Sequence, residues 1–118
     1  MRDDMFNDKK DIAMIKRVYI SGPIEHYDLE ERRAAFGRAE QLLELHGFQS
    51  VNPMKNGLPA EAHWREHMRR DIALLLDCDA IYMLEGWELS KGCKLEMDVA
   101  SSCGISVATS LERLKRLK

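Results

Sequence analysis

Asp79-Ala80-Ile81-Tyr82-Met83-Leu84, followed by Trp87-Glu88-Leu89-Ser90-Lys91-Gly92-Cys93-Lys94-Leu95-Glu96-Met97-Asp98-Val99-Ala100, decides how this chain is read. The first run is apolar, partly β-branched and of strand length; the second takes on helical character after its loop residues. Together they read as strand, loop and helix. Ser90 can cap that helix by offering its hydroxyl oxygen to free N–H groups of the first turn, and Gly92 lets the backbone come close to a ligand. Those N–H groups and the positive end of the helix dipole suit an anion. Cys93, Glu96 and Ala100 share one helix face. If that face packs on a sheet, Glu96 is a carboxylate at a partly buried edge beside an anion site, which is costly unless the charge is used. The same unit is commonplace in α/β domains and a single helical glutamate is usually solvated, so spacing alone leaves both roles open.

Working outward, Arg17-Val18-Tyr19-Ile20-Ser21 is a first strand, ended by Gly22-Pro23, since proline has no N–H to donate to a ladder. Apolar residues then recur at Leu29, Phe36, Ala39, Leu42 and Leu43 and predict an amphipathic helix over Asp28 to His46, stopped by Gly47. Phe48 to Val51 is a short second strand ended by Asn52-Pro53. Met54 to Pro59 is loop, with Asn56-Gly57 a turn signal. A second helix is expected to begin near Pro59 to Glu61, with Trp64, Met68, Ile72 and Leu75 as its inner stripe. After the opening stretch, Gly104 stops the third helix, Ile105 to Ala108 is a fourth strand, and Thr109 or Ser110 caps a short helix lined by Leu111, Leu114 and Leu117. Met1 to Lys16 has no clear period and is expected to be an N-terminal arm or one short helix, leaving 17–118 as the domain.

Strands alternating with helices of this length predict an α/β fold, a Rossmann-like or flavodoxin-like three-layer sandwich on a parallel sheet of four to five strands. Such folds bind ligands at the carboxyl ends of their strands. Here those ends carry Ser21-Gly22-Pro23, Asn52-Pro53, Leu84-Glu85-Gly86-Trp87 and the Ser90 loop, groups that could meet around one small molecule, with Asp71 a further carboxylate able to point toward that edge.

Composition narrows the class. The 118 residues suffice for one domain, and a formal net charge of −2 gives no drive toward a nucleic-acid polymer or an anionic membrane. No apolar run approaches the length of a membrane span and Met1 to Arg17 lacks a secretory core, so a cytoplasmic location is expected. Three cysteines, Cys78, Cys93 and Cys103, lack paired spacing and are expected to be reduced thiols, not a zinc site. His63 and His67 are spaced for a metal on a helix, yet Glu66 is misplaced for the HExxH arrangement, so no metal or cofactor is expected. Trp64 is expected in a core or interface. The basic end, Arg113, Lys115, Arg116 and Lys118, suits a helix C-terminus.

Three motifs in order carry a resemblance: Val18-Tyr19-Ile20-Ser21-Gly22-Pro23-Ile24; Arg70-Asp71-Ile72 with Cys78-Asp79-Ala80-Ile81; and Ser90-x-Gly92-x-x-x-Glu96-x-x-x-Ala100. Across Val18 to Val107 the chain resembles the nucleoside 2-deoxyribosyltransferase superfamily, most closely its small bacterial and phage branch (DUF4406-like) with a GWE-x-S-x-G segment. The resemblance implies N-glycosidic bond chemistry on deoxynucleosides or their 5′-monophosphates. Glu96 matches the nucleophile that attacks C1′ and forms a glycosyl-enzyme intermediate. Asp71 matches the carboxylate that passes a proton to the departing base, and Tyr19 a tyrosine that positions nucleophile and sugar. Ser90 matches the serine with which the related deoxynucleoside monophosphate N-hydrolases bind the 5′-phosphate, where the nucleoside transferases typically carry aspartate. A hydroxyl and helix N–H groups would hold a phosphate that a carboxylate would repel.

The expected substrate-binding set is Ser21, Gly22, Pro23, Ile24, Asn52, Trp87, Ser90 and Gly92. Cys93 and Lys94 depart from the smaller residues common in the hydrolases, and Gly22-Pro23-Ile24 is less glycine-rich than their phosphate loop. Asp98 lies at about 200° around the helix from Glu96 and should face elsewhere. The expectation is therefore an N-glycosidase acting on deoxynucleoside 5′-monophosphates. Base exchange between deoxynucleosides, or a nucleotide-binding module without turnover, are the competing readings. A homodimer or larger homo-oligomer is expected, since related enzymes build their sites at subunit contacts.

Overall fold

A computed structural model describes residues 15–117. The expected N-terminal arm lies outside the described residues except for its last two positions, where Ile15 packs against the core and the amide of Lys16 donates to Asp79 Oδ2 at 2.9 Å. Four parallel strands, β1 (Arg17–Ser21), β2 (Gln49–Val51), β3 (Ala80–Met83) and β4 (Ser106–Ala108), form one sheet in the order β2-β1-β3-β4. Four helices connect and flank them: α1 (Leu29–Leu45), α2 (Trp64–Leu76), α3 (Lys91–Ser102) and α4 (Leu111–Leu117). This is the expected three-layer α/β fold, and the chain order reverses between β1 and β3, where such sheets open a crevice.

The layers follow from the two-residue period of β1. Val18 and Ile20 join Phe36, Ala39 and Leu43 of α1 and Leu114 of α4 in one core. Tyr19 points the other way and packs with Leu75 of α2 and with Cys93 and Ala100 of α3. The register aligns Tyr19 with Ile81 and Ser21 with Met83, so β1 and β3 end together.

Helix starts are set by side-chain caps. Asp28 accepts from Glu31 N–H and Ser90 from Cys93 N–H, while Ser110 accepts from Arg113 N–H. The start of α2 corrects the sequence expectation. It lies at Trp64 instead of Pro59 to Glu61, because the Pro59 carbonyl accepts from Ala62 in a turn and His63 Nδ1 then caps the helix through Arg65 N–H. Its buried face is Met68, Asp71 and Leu75, with Ile72 on the flank. A carboxylate thus stands where an apolar residue was expected. Met54 is also not plain loop, since Pro53–Lys55 forms one 3-10 turn capped by Asn52.

Candidate active site

β1 supplies the base of the site. Its alternation puts Tyr19 and Ser21 on the same face of the sheet, and α3 lays Glu96 across that face three residues after Cys93 and four before Ala100, both buried. Tyr19 Oη donates to Glu96 Oε2 at 2.7 Å and Ser21 Oγ donates to Oε1 at 2.6 Å. Glu96 is 6% exposed. Burial pushes its carboxyl up to about 7, with the two hydroxyl donors opposing that rise and the nearby Asp71 adding to it. Burial and the neighbouring Glu96 hold the Tyr19 phenol well above its ordinary range, so it remains a donor.

Asp71 enters from α2. Asn56 Nδ2 donates to its Oδ1 at 2.8 Å. Burial raises its carboxyl, while the Asn56 hydrogen bond, His67 and Arg70 lower it. Two carboxyls with environments that favour protonation, facing one space, are the usual components of acid–base and nucleophilic chemistry at a sugar carbon.

That space is a cavity of about 310 Å³, at the small end of ligand pockets. Glu96, Asp71, Cys93, Ser90, Gly92, Gly22 and Ile24 line it, as do Asn56, His67, Trp64, Met68, Met54 and Leu58 from α2 and the loop before it. Gly22 is required by packing, since a Cβ there would stand 2.9 Å from Leu84 Cδ1 and 3.1 Å from Phe36 Cζ. At the cavity wall, Ser90 Oγ accepts from Cys93 N–H at 3.2 Å, and its hydroxyl is also hydrogen-bonded to the Cys93 thiol. The amides of Lys91 and Gly92 have no intrahelical acceptor, as at the start of any helix.

The structure therefore brings Glu96, Tyr19, Ser21, Asp71, Gly22, Ile24, Ser90 and Gly92 to one place. It puts three expected binding residues elsewhere. Asn52 is buried and caps the turn at Met54, Trp87 packs against the core on the α3 side, and Pro23 lies on a separate shallow concavity beyond Ser90 with Tyr27 and Lys91. Trp64 lines the cavity and carries the Lys91 ammonium 4.4 Å from its ring centroid. His63 and His67 do not act together, as His63 caps α2 and His67 faces Asn56 and Pro59.

Two residues went unread in the sequence. Asn56 showed only as half of a turn dipeptide. Arg32 showed as one charge on a surface helix, yet it is 7% exposed. Its Nη1 donates to the Pro23 carbonyl at 3.0 Å and its guanidinium stacks near Tyr27 and Phe36. Its Nε lies 3.1 Å from Glu31 Oε1, an ion pair without the alignment of a hydrogen bond. Arg32 thereby fastens the loop after β1, in which His26 takes a left-handed φ of 72°.

A family model described as a domain of unknown function (DUF4406) matches residues 16–109. Among solved structures, a 2-desoxiribosyltransferase from Leishmania mexicana is similar with a TM-score of 0.60 and 23% identity, over 78% of this chain and 61% of that one. The CMP N-glycosidase BcmB from Clostridium botulinum is similar with a TM-score of 0.54 and 18% identity, over 87% of this chain and 83% of that one. The chain thus spans 61% of the length of the Leishmania enzyme. At these identities the likeness is one of fold. No curated protein matches significantly. Among the described residues no helix is long and apolar enough to cross a membrane.

Proposed function

The chain belongs to the DUF4406 family, and from that premise we propose that it is an N-glycosidase that hydrolyses deoxynucleoside 5′-monophosphates through a covalent glutamyl-sugar intermediate. The observation that carries the reading is the Glu96 carboxyl, held on both oxygens by Tyr19 and Ser21 at a cavity whose wall also bears Asp71. Each oxygen of the ionised group has lone pairs beyond the hydrogen bond it accepts, so one can attack C1′ while the donors fix its direction. As the C1′–N bond breaks, its electron pair leaves with the base, and Asp71 passes that base a proton. Water then attacks C1′, gives a proton back to Asp71 and frees Glu96, with deoxyribose 5-phosphate released.

Ser90 supports the monophosphate as substrate. Its hydroxyl and the amides of Lys91 and Gly92 are donor groups at the cavity, with no carboxylate at that position to repel a phosphate. A CMP N-glycosidase and a deoxyribosyltransferase both occur on this fold, which supports the reaction class. Self-association belongs to the same reading, because Leu76 and Leu95 leave apolar surface on α2 and α3 at 50% and 39% exposure; sedimentation of the purified chain tests it.

The test of function is chromatographic detection of free base after incubation with a panel of deoxynucleoside monophosphates and deoxynucleosides, with and without an added acceptor base. Release from monophosphates without an acceptor supports hydrolysis. Exchange that needs an acceptor supports transfer instead, and tight binding without any product leaves a nucleotide-binding module.

A further inference from the structure

The loop between β2 and α2 makes its closest attachments around one side chain. Asn56 is 7% exposed and all of its polar atoms are engaged. Its Oδ1 accepts from Leu58 N–H at 2.9 Å, which fixes which end of the amide is oxygen. Its Nδ2 therefore has two protons to give, one to Asp71 Oδ1 at 2.8 Å and one to His67 Nδ1 at 3.1 Å. His67 Nε2 faces the Pro59 carbonyl at 3.1 Å. A carbonyl only accepts, so Nε2 carries the ring proton and Nδ1 is left to accept from Asn56. Arg70 Nη1 donates to the Asn56 carbonyl at 2.6 Å and pins the backbone of the same residue.

This arrangement settles an asymmetry in Asp71. Oδ1 is committed to Asn56, while Oδ2 makes no hydrogen bond to any described residue. The groups that face this carboxyl are His67 and Arg70 from its own helix, Asn56 from the loop, Glu96 from α3 and Tyr19 from β1.

We propose that Asn56, oriented by His67, is a positioning residue that holds Asp71 by Oδ1 and so makes Oδ2 the oxygen that delivers the proton to the departing base. The inference rests on the N-glycosidase reading. In the balanced step the Oδ2–H bond breaks as a base nitrogen takes the proton, the C1′–N electron pair goes to the base, and a Glu96 oxygen bonds C1′. Asp71 is left ionised, the form that the Asn56 donor stabilises. The following water returns a proton to the same Oδ2.

The experiment compares two leaving groups. A deoxynucleoside 5′-monophosphate needs its base protonated, whereas 4-nitrophenyl 2-deoxyribose 5-phosphate departs as a stable anion without a proton. In N56A, kcat for the nucleotide is expected to fall about a hundredfold, the scale of general-acid assistance, with the nitrophenyl substrate within a few-fold of wild type and KM little changed. H67F, which removes the acceptor for Asn56, is expected to follow N56A in kind, and H67N, whose side-chain oxygen can accept in place of Nδ1, to recover most of that loss. Equal losses on both substrates, or no loss on the nucleotide, overturn the inference while leaving the glycosidase reading intact. A wild-type protein that cleaves neither substrate overturns both.

Discussion

Tyr19 in β1 and Glu96 in α3, 77 positions apart in the chain, meet in a buried hydrogen bond of 2.7 Å from the phenol to the carboxylate. A carboxyl in that setting resists ionisation, and the hydroxyls of Tyr19 and Ser21 offset part of that resistance. The same two donors aim it at the cavity.

Removing either donor should make Glu96 harder to ionise. A hydrogen bond to a charged group contributes about 1.5–3 kcal/mol, which corresponds to roughly one to two pH units. The acid limb of kcat/KM, expected near the Glu96 value of about 7, should therefore move to higher pH in Y19F and in S21A. A pH–rate profile that keeps its acid limb in both variants contradicts this. Because Asp71 and Glu96 influence each other, the limb belongs to the pair.

The same carboxyl should make stability depend on pH. Its folded-state value lies above the 4.5 of an ordinary glutamate, so the native state binds the proton more tightly than the unfolded chain. The contribution is complete below about 4.5 and is lost as pH rises through about 7, ~3 kcal/mol in all as an order of magnitude. Denaturant unfolding of the wild type against E96Q should show wild-type stability falling relative to the variant between those limits and flat above them.

Ser90→Asp keeps a good helix cap while placing a charge beside the expected phosphate site. Monophosphate cleavage should fall by about tenfold or more through like-charge repulsion, with deoxynucleoside cleavage far less affected. Competition between the two substrate types measures the ratio directly.

Gly22→Ala should destabilise the fold by about 1–3 kcal/mol as an overpacking change, since its Cβ would press on Leu84 and Phe36. Chemical denaturation gives the value, and an unchanged midpoint would mean that Leu84 moves aside freely.

How much of this was legible in the sequence depends on which contacts are periodic. Val18, Tyr19, Ile20 and Ser21 announce a strand, and period two then predicts that Tyr19 and Ser21 share a face. The Cys93–Glu96–Ala100 spacing places Glu96 on the packed face of its helix. Both are local patterns that the fold merely brings together. The inward turn of Asp71 was less visible, because the Met68–Ile72–Leu75 stripe fits a slightly rotated helix equally well and only the packed structure chooses between them. Asn56 and Arg32 gave no usable signal. Their roles depend on loop conformations, a turn fixed by Leu58 N–H in one case and the Pro23 carbonyl in the other. Trp87 is ambiguous for the opposite reason, since an aromatic residue in a strand-end loop reads as a ligand platform, and the packing of its side chain against the core follows only from the fold.

The most direct test of the central claim is the mass of the protein itself. A 2′-fluoro arabinosyl nucleotide analogue slows both glycosyl transfer steps by disfavouring positive charge at C1′, which gives an intermediate time to accumulate. A covalent glutamyl-sugar intermediate should appear as an added fluorosugar 5-phosphate on the intact chain, mapped to the peptide containing Glu96 and absent from E96Q. Base release by the wild type with no adduct, continuing at an undiminished rate in E96Q, would contradict it.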